Sequence, residues 1–156
     1  MGTLENNVIK ALKPIVKNLD NPRIKALAKY LGLTKEEEKE IYYESYDIYC
    51  YGNQEYLVLT DDEADEKVAE HIKDSVWAFN PSFLSSHSGI DQEIFKLLQD
   101  KCESANESIL KLIKDFDEFV EDAVATDGRG HFLSSYDGEE NEHEHDNETY
   151  YIYRTN

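Results

Sequence analysis

The chain has 156 residues with 34 acidic and 16 basic side chains, so its formal net charge is -18. This charge repels nucleic acids and anionic membrane surfaces, because phosphate binding needs a cationic footprint. Aromatic residues make up 12% of the chain, too many for a wholly disordered acidic protein. We therefore expect a single domain over residues 1–156, in which the N-terminal helices of residues 1–45 could form a semi-independent subdomain.

No stretch of the sequence is typical of a membrane segment or an export signal. The chain has no apolar run of about 18 residues. Its first residues, MGTLENNVIK, lack the apolar core of a signal peptide. Cys50 and Cys102 are isolated thiols, which fits a reducing compartment. We therefore expect a cytoplasmic protein.

The start of the chain is predicted to be helical. Apolar residues at helical spacing predict a helix over 4–19, which Pro14 should kink. Asn21-Pro22 should open a second helix that ends near Leu31, since proline is favourable in a first turn.

The next segment changes from helical to strand periodicity. Thr34 and Glu37 form a capping box that predicts a third helix over 35–45. Aromatic and β-branched residues then predict two strands, 46–51 and 55–59, joined by a glycine-containing turn.

The rest of the chain mixes long helices with two more strands. Apolar spacing predicts helices over 61–78, 91–102 and 105–125. Strands are predicted over 131–136 and 149–154, with the acidic stretch between them as a loop. Two further capping boxes are expected at Thr60, Glu63, Ser104 and Glu107. The predicted fold class is α+β, with a small antiparallel sheet from two β-hairpins packed against five or six helices.

The charge is unevenly distributed along the chain. Residues 1–50 hold eight acidic and eight basic side chains, whereas residues 51–156 hold 26 acidic and eight basic ones. Carboxylates are dense where the predicted helix 61–78 begins, a position that the helix dipole favours. Ordinary helix stabilisation is one interpretation of this cluster. The other is phosphate mimicry, in which rows of carboxylates occupy a basic nucleic-acid channel of another protein.

The segment 127–140 concentrates side chains that can carry chemistry. On a strand, His131 and Ser135 would share one face as base and nucleophile. Alternate strand residues lie about 6–7 Å apart, however, which is too far for the hydrogen bond that activates a serine. A structural or recognition element is the favoured interpretation, and an enzyme using this segment is the alternative.

A metal site is the second chemical possibility. His143 and His145 would place both rings on one face of a strand, and carboxylates lie nearby. Imidazole suits zinc, copper or nickel. The stretch is typical of a flexible loop without fixed ligands, so we expect no bound metal and no cofactor; a metal-dependent protein using segment 127–145 stays as the alternative.

Residues 22–42 have the spacing of a helix-turn-helix, which makes a DNA-binding regulator a further alternative. The would-be recognition helix would present Glu36, Glu37, Glu38 and Glu40 to a phosphate backbone. An ordinary helical hairpin with an acidic face is therefore favoured.

Several longer stretches carry a resemblance. They are EYLVLTDDEADE (55–66), WAFNPSFL (77–84), DGRGHFLSSYDGEENE (127–142) and the ending YYIYR. Together they resemble a set of small acidic proteins encoded by bacteriophages and mobile elements, over roughly residues 46–156. The resemblance implies an accessory protein acting inside a bacterial host cell, in a class that often inhibits host nucleases or CRISPR complexes. It brings no catalytic or binding residue across.

These patterns lead to an expected function. We expect a non-enzymatic inhibitor that binds the basic groove of a nucleic-acid-handling host protein and mimics nucleic acid with its acidic surface. Tyrosines of the first hairpin would serve as anchors, because tyrosine is enriched at interfaces. No direct nucleic-acid or membrane binding is expected. The expected partner-binding residues are Asp61, Asp62, Asp65, Glu66, Tyr49, Tyr51, Arg129, His131, Tyr136, Asp137, Glu139 and Glu140.

Overall fold

A computed structural model of the protein describes residues 20–156 and confirms the α+β class. The described residues form eight α-helices and one five-stranded antiparallel sheet. The predicted helix over 4–19 lies outside the described residues. The helices are α1 (Pro22–Leu31), α2 (Lys35–Glu38), α3 (Asp61–Ser75), α4 (Pro81–Ser88), α5 (Gln92–Gln99), α6 (Asn106–Leu112), α7 (Phe116–Asp127) and α8 (Arg129–Leu133). The strands are β1 (Tyr42–Ser45), β2 (Ile48–Tyr51), β3 (Gln54–Leu59), β4 (Asn141–His145) and β5 (Glu148–Arg154).

The ends of α1 follow the expected local chemistry. The Asn21 side chain accepts a hydrogen bond from the backbone N–H of Arg23 at 2.9 Å, and Pro22 occupies the first turn. Gly32 ends the helix in the left-handed conformation, with φ of 69°. The prediction for this helix is confirmed at both ends.

The sheet has the strand order β1-β2-β3-β5-β4, so β3 lies at its centre. One of its faces packs against α1. Ile24 and Leu27 of α1 belong to the same buried cluster as Val58 and Ile152, which are paired neighbours on β3 and β5. This packing covers the apolar face of the helix with the middle of the sheet.

The prediction of a helix over 35–45 is wrong beyond its first turn. The Thr34–Glu37 capping box is present, but α2 ends at Glu38 and Tyr42–Ser45 form the strand β1. The turn into β2 uses Tyr46 and Asp47 at φ of 47° and 65°. Glycine or asparagine usually occupies such positions, so the hairpin carries no turn signal in the sequence.

The predicted continuous helix over 105–125 is also wrong, because the chain breaks between α6 and α7. Ile113 is extended with ψ of 127°, and the backbone N–H of Lys114 donates to the His87 carbonyl oxygen at 3.0 Å. Asp115 caps α7 by accepting from the Glu118 N–H at 3.1 Å. Ser104 caps no helix, since its hydroxyl donates to the Lys101 carbonyl oxygen at 2.6 Å.

Two predictions for the last stretch of the chain are wrong. Residues 129–133 form α8 instead of a strand, and residues 141–145 form β4 instead of a loop. β4 pairs with β5 through a turn at Asp146 and Asn147, which have φ of 52° and 63°. Asx residues tolerate this conformation better than other non-glycine residues.

The described chain consists of two compact units. The sheet unit comprises residues 20–64 and 133–156, and includes α1, α2 and all five strands. The helical unit comprises residues 65–132. Its buried residues include Val68, Ile72, Phe95 and Phe119. The described helices α1 and α2 therefore share a unit with the sheet.

Within residues 20–156, none of the helices combines the length and the apolar character needed to cross a bilayer.

Candidate functional site

The acidic start of α3 contains both structural and surface carboxylates. Glu63 accepts two hydrogen bonds of 2.7 Å from the Arg23 guanidinium and one of 2.8 Å from the backbone N–H of Thr60. These contacts, with Arg23 contributing most, lower the pKa of Glu63 to about 2. Asp61 and Asp62 are exposed. Glu63 is therefore a structural residue, whereas its two acidic neighbours lie on the surface.

A groove of about 560 Å³ lies between α3 and α7 in the helical unit. We call it the α3–α7 groove. Its floor consists of small and branched apolar residues, and its rim carries carboxylates. The floor residues are Val68, Ala69, Val120, Val124 and Ala125, and the rim residues are Asp65, Asp117 and Glu121.

The rim carboxylates differ in their hydrogen bonds and their exposure. Asp65 accepts a 2.8 Å hydrogen bond from Arg129, whose side chain is only 11% exposed. Asp117 and Glu121 are exposed and lie one helical turn apart on α7. Because an apolar floor sits between negative side chains, the groove matches a segment that presents apolar residues flanked by lysine or arginine. Glu66, also expected to contact a partner, is exposed on α3.

The turn after α8 uses its polar groups for structure. The Ser134 hydroxyl lies 2.7 Å from both the Asp137 carboxylate and the Arg154 carbonyl oxygen. Asp137 accepts a hydrogen bond of 3.0 Å from the backbone N–H of Glu139, which together with the Ser134 hydroxyl lowers its pKa. The Arg154 guanidinium lies 3.6 Å from the ring centroid of Tyr136. These contacts fix the turn and engage Tyr136 and Asp137 within the sheet unit.

The residues of the enzyme alternative are divided between the two units. Asp127 and His131 both line a cleft of about 470 Å³ in the helical unit, together with His71. Tyr136 belongs to the sheet unit. Ser135 donates to the Thr155 carbonyl oxygen at 2.8 Å. Because His131 lies on α8, the predicted strand face shared by His131 and Ser135 does not exist.

The acidic stretch before the last strand splits into two faces of β4. Glu142 and Glu144 are exposed, whereas the alternating His143 and His145 are half-buried. The His143 ring centroid lies 6.1 Å from that of Tyr30 on α1. Among residues 20–156, no group of three or more histidine, cysteine, aspartate or glutamate side chains could hold a metal ion. Glu139 is exposed, and Glu140 accepts a hydrogen bond from the Tyr153 hydroxyl.

The tyrosines around the first hairpin, which the sequence predicts as anchors for a partner, differ in their exposure to solvent. Tyr49 is 4% exposed, and its hydroxyl accepts a 3.2 Å hydrogen bond from Asn21. Tyr51 is half-buried against the same core. Tyr42, Tyr43 and Tyr46 are the exposed tyrosines of this hairpin, and Tyr46 is 80% exposed. Tyr49 therefore offers almost no surface to a partner.

The helix-turn-helix alternative lacks its second helix. α2 has four residues, Lys35–Glu38, and the chain then turns into β1. A recognition helix must be long enough to lie in a major groove. Residues 22–42 therefore form a helical hairpin that leads into the sheet.

Asp117 and Glu121 are not among the contact residues predicted from the sequence, although their spacing carries a signal. Both flank Val120 and Val124 at helical spacing, so the amphipathic pattern places them beside an apolar strip. The apolar spacing alone predicts the helix and does not show that this edge is exposed.

Comparisons of the chain with protein-family models, with curated proteins and with solved structures give no match.

Proposed function

We propose that the protein is a non-enzymatic interaction protein that binds a basic, apolar segment of a partner protein in the α3–α7 groove. The observation that carries the proposal is the apolar floor between the exposed carboxylates of Asp117 and Glu121. Lysine or arginine side chains of the partner would pair with these carboxylates while apolar side chains cover the valines.

The charge of the whole surface favours the same class of partner. Residues 51–156 hold 26 acidic and eight basic side chains. The exposed carboxylates of Asp61, Asp62 and Glu66 extend the negative surface of α3. Such a surface speeds association with a positively charged protein and repels nucleic acid.

The partner that fits this chemistry best is a nucleic-acid-handling protein, because such proteins present lysine and arginine side chains to phosphates. With such a segment held in the α3–α7 groove, the carboxylates would take the place of phosphates and inhibit the partner. The bacterial cytoplasm is the compartment we propose, and a host nuclease or CRISPR-type complex is the partner class that the sequence resemblance implies.

A capture experiment with matched variants tests the proposal. Tagged wild-type protein, an Asp117→Asn/Glu121→Gln variant and an Asp100→Asn/Glu103→Gln control are each used to capture proteins from a bacterial lysate. The control removes the same two charges from exposed positions of the helical unit outside the groove. Quantitative mass spectrometry then compares the three captured sets.

We expect at least one basic protein to be captured by the wild type and the control and to be depleted about tenfold or more with the groove variant. Raising the salt concentration should release the same protein, because exposed charge pairs are screened. Equal capture by the groove and control variants would disprove the role of the groove.

A further inference from the structure

The cleft that contains Asp127 and His131 has a floor of aromatic rings. It lies between α3, α7 and α8 in the helical unit and has a volume of about 470 Å³, which suits a small molecule. Phe79, Phe83 and Phe132 line it. All three rings are half-buried and therefore leave apolar surface open to the cleft.

The floor is held in place by the core beneath it. The Phe79 ring is nearly parallel to those of Phe83 and Phe132, with interplanar angles of 23° and 17° and centroid distances of 5.7 Å and 6.1 Å. Phe79 and Phe83 each lie 4.9 Å from the ring of Phe119, which is fully buried. A flat ligand would therefore meet a preformed aromatic surface, so little ordering is needed on binding.

The rim of the cleft carries three titratable side chains. Among residues 20–156, the side chains of Asp127, His71 and His131 accept or donate no hydrogen bond and form no ion pair. The hydroxyls of Ser75 and Thr126 differ, since each donates to a carbonyl oxygen of its own helix, at 2.6 Å and 2.8 Å. Polar side chains with a structural role are normally hydrogen-bonded, so the three unused groups are available to a ligand.

The charge of the lining selects among ligands. Asp127 is a carboxylate at the rim, and none of the described residues that line the cleft is a lysine or arginine. Aromatic faces and a carboxylate both attract cations. An anionic ligand would meet the like charge of Asp127.

We propose that this cleft binds a small planar aromatic amine or amidine, with its ring against Phe79 and Phe132 and its cationic nitrogen donating to the Asp127 carboxylate. The side chains of His71 and His131 flank the ring, with centroids 6.1 Å and 4.9 Å from that of Phe132. This site is separate from the α3–α7 groove, and its occupancy does not depend on a protein partner.

Three probes that share one ring and differ in charge test the proposal. Benzamidine, benzyl alcohol and benzoate are titrated into the full-length protein while backbone amide chemical shifts are followed by NMR. We expect benzamidine to bind with a dissociation constant of about 1–10 mM, the range for a ligand of this size. Shifts should be largest at His71, Asp127 and Phe132, and benzoate should bind at least tenfold more weakly.

Variants separate the roles of the ring floor and the carboxylate. Asp127→Asn should weaken benzamidine about threefold to tenfold and leave benzyl alcohol unchanged, because a charge-assisted hydrogen bond is lost. Phe132→Leu should weaken both probes. Asp100→Asn, an exposed residue outside the lining, should change neither. Thermal unfolding of each variant confirms that it is folded.

Three outcomes would overturn the proposal. The first is benzoate binding as tightly as benzamidine, which would show that the carboxylate does not select the ligand. The second is the absence of saturable shifts at these residues up to about 50 mM benzamidine, well above the expected dissociation constant. The third is an Asp127→Asn variant with unchanged benzamidine affinity, because the ligand would then make no contact with the carboxylate.

Discussion

Two carboxylates of the sheet unit and three of the helical unit differ in the partners that the fold gives them. In the sheet unit, Arg23 pairs with Glu63, and Asp137 caps the turn that follows α8. In the helical unit, Asp117 and Glu121 lie on the rim of one groove and Asp127 on that of a second cleft, all three exposed. Polar groups with fixed partners mainly stabilise a fold. Polar groups that surround an apolar surface without fixed partners are suited to binding.

The contrast also separates residue types that look alike in the sequence. Glu63 and Asp62 are neighbours in the same acidic helix start, yet Glu63 is in an ion pair and Asp62 is exposed. The density of acidic residues therefore does not show which carboxylates can meet a partner. Substitutions in the two units should separate effects on stability from effects on binding.

Removing the Arg23 side chain should give the largest loss of stability, because it donates hydrogen bonds to two groups of the sheet unit. Its guanidinium binds Glu63 and also donates to the carbonyl oxygen of Val58, a fully buried residue, at 2.7 Å. Arg23→Ala leaves both acceptors without this donor, and we expect a loss of about 2–4 kcal/mol in the free energy of unfolding. Urea denaturation followed by circular dichroism measures it.

Lys39→Ala is the matched control for this experiment. Lys39 pairs with Glu36, but the two side chains are 52% and 83% exposed. An exposed pair contributes about 0–0.5 kcal/mol, so the control should stay close to the wild type. Equal losses in both variants would break the comparison between engaged and exposed charges.

Acid should selectively weaken the contact between Arg23 and Glu63. The pKa of Glu63 falls from 4.5 to about 2 in the folded protein, so its contribution is complete above pH 4.5 and is lost as the pH falls towards 2. The carboxylate is 38% exposed, and solvent screening reduces the contribution to about 1–2 kcal/mol. Glu63→Gln should therefore lower stability at pH 7 by this amount and narrow its difference from the wild type near pH 2.

Asp62→Asn provides the reference for the acid experiment. Its side chain lies next to Glu63 in sequence but is exposed on α3. Unfolding curves between pH 7 and pH 2 should show that acid lowers the free energy of unfolding by the same amount in this variant and in the wild type. A Glu63→Gln variant whose difference from the wild type stays constant over this range would contradict the assignment.

Local signals in the sequence predicted much of the secondary structure. Asn21-Pro22 and Gly32 mark both ends of α1, because capping depends on residues that are adjacent in the chain. The glycine-containing turn likewise predicts the hairpin of β2 and β3. The failures occurred where the deciding contact is distant in sequence, as in the break before α7, where Lys114 bonds to His87.

The candidate sites were harder to predict, because each joins side chains from distant segments. Asp65 is an expected contact residue, but three of the five floor residues and the other two carboxylates of its groove come from α7, more than 50 residues later. The aromatic cleft likewise joins Phe79 with Phe132. No local pattern shows that these residues meet. In β4, by contrast, histidines and glutamates alternate with a period of two, and this pattern is typical of a strand.

The smallest stability effect should come from Asp117→Asn/Glu121→Gln, and this is the sharpest test of the comparison. Both carboxylates are exposed, so the free energy of unfolding should change by less than about 0.5 kcal/mol. Chemical denaturation of this variant beside Arg23→Ala makes the measurement. A loss above about 1 kcal/mol in the free energy of unfolding would show that the rim carboxylates stabilise the fold, since removing a hydrogen-bonded polar group has a cost of that size. A small loss together with weakened capture of a basic partner would assign the rim of the α3–α7 groove to binding, because the two charges would then matter only when a second molecule is present.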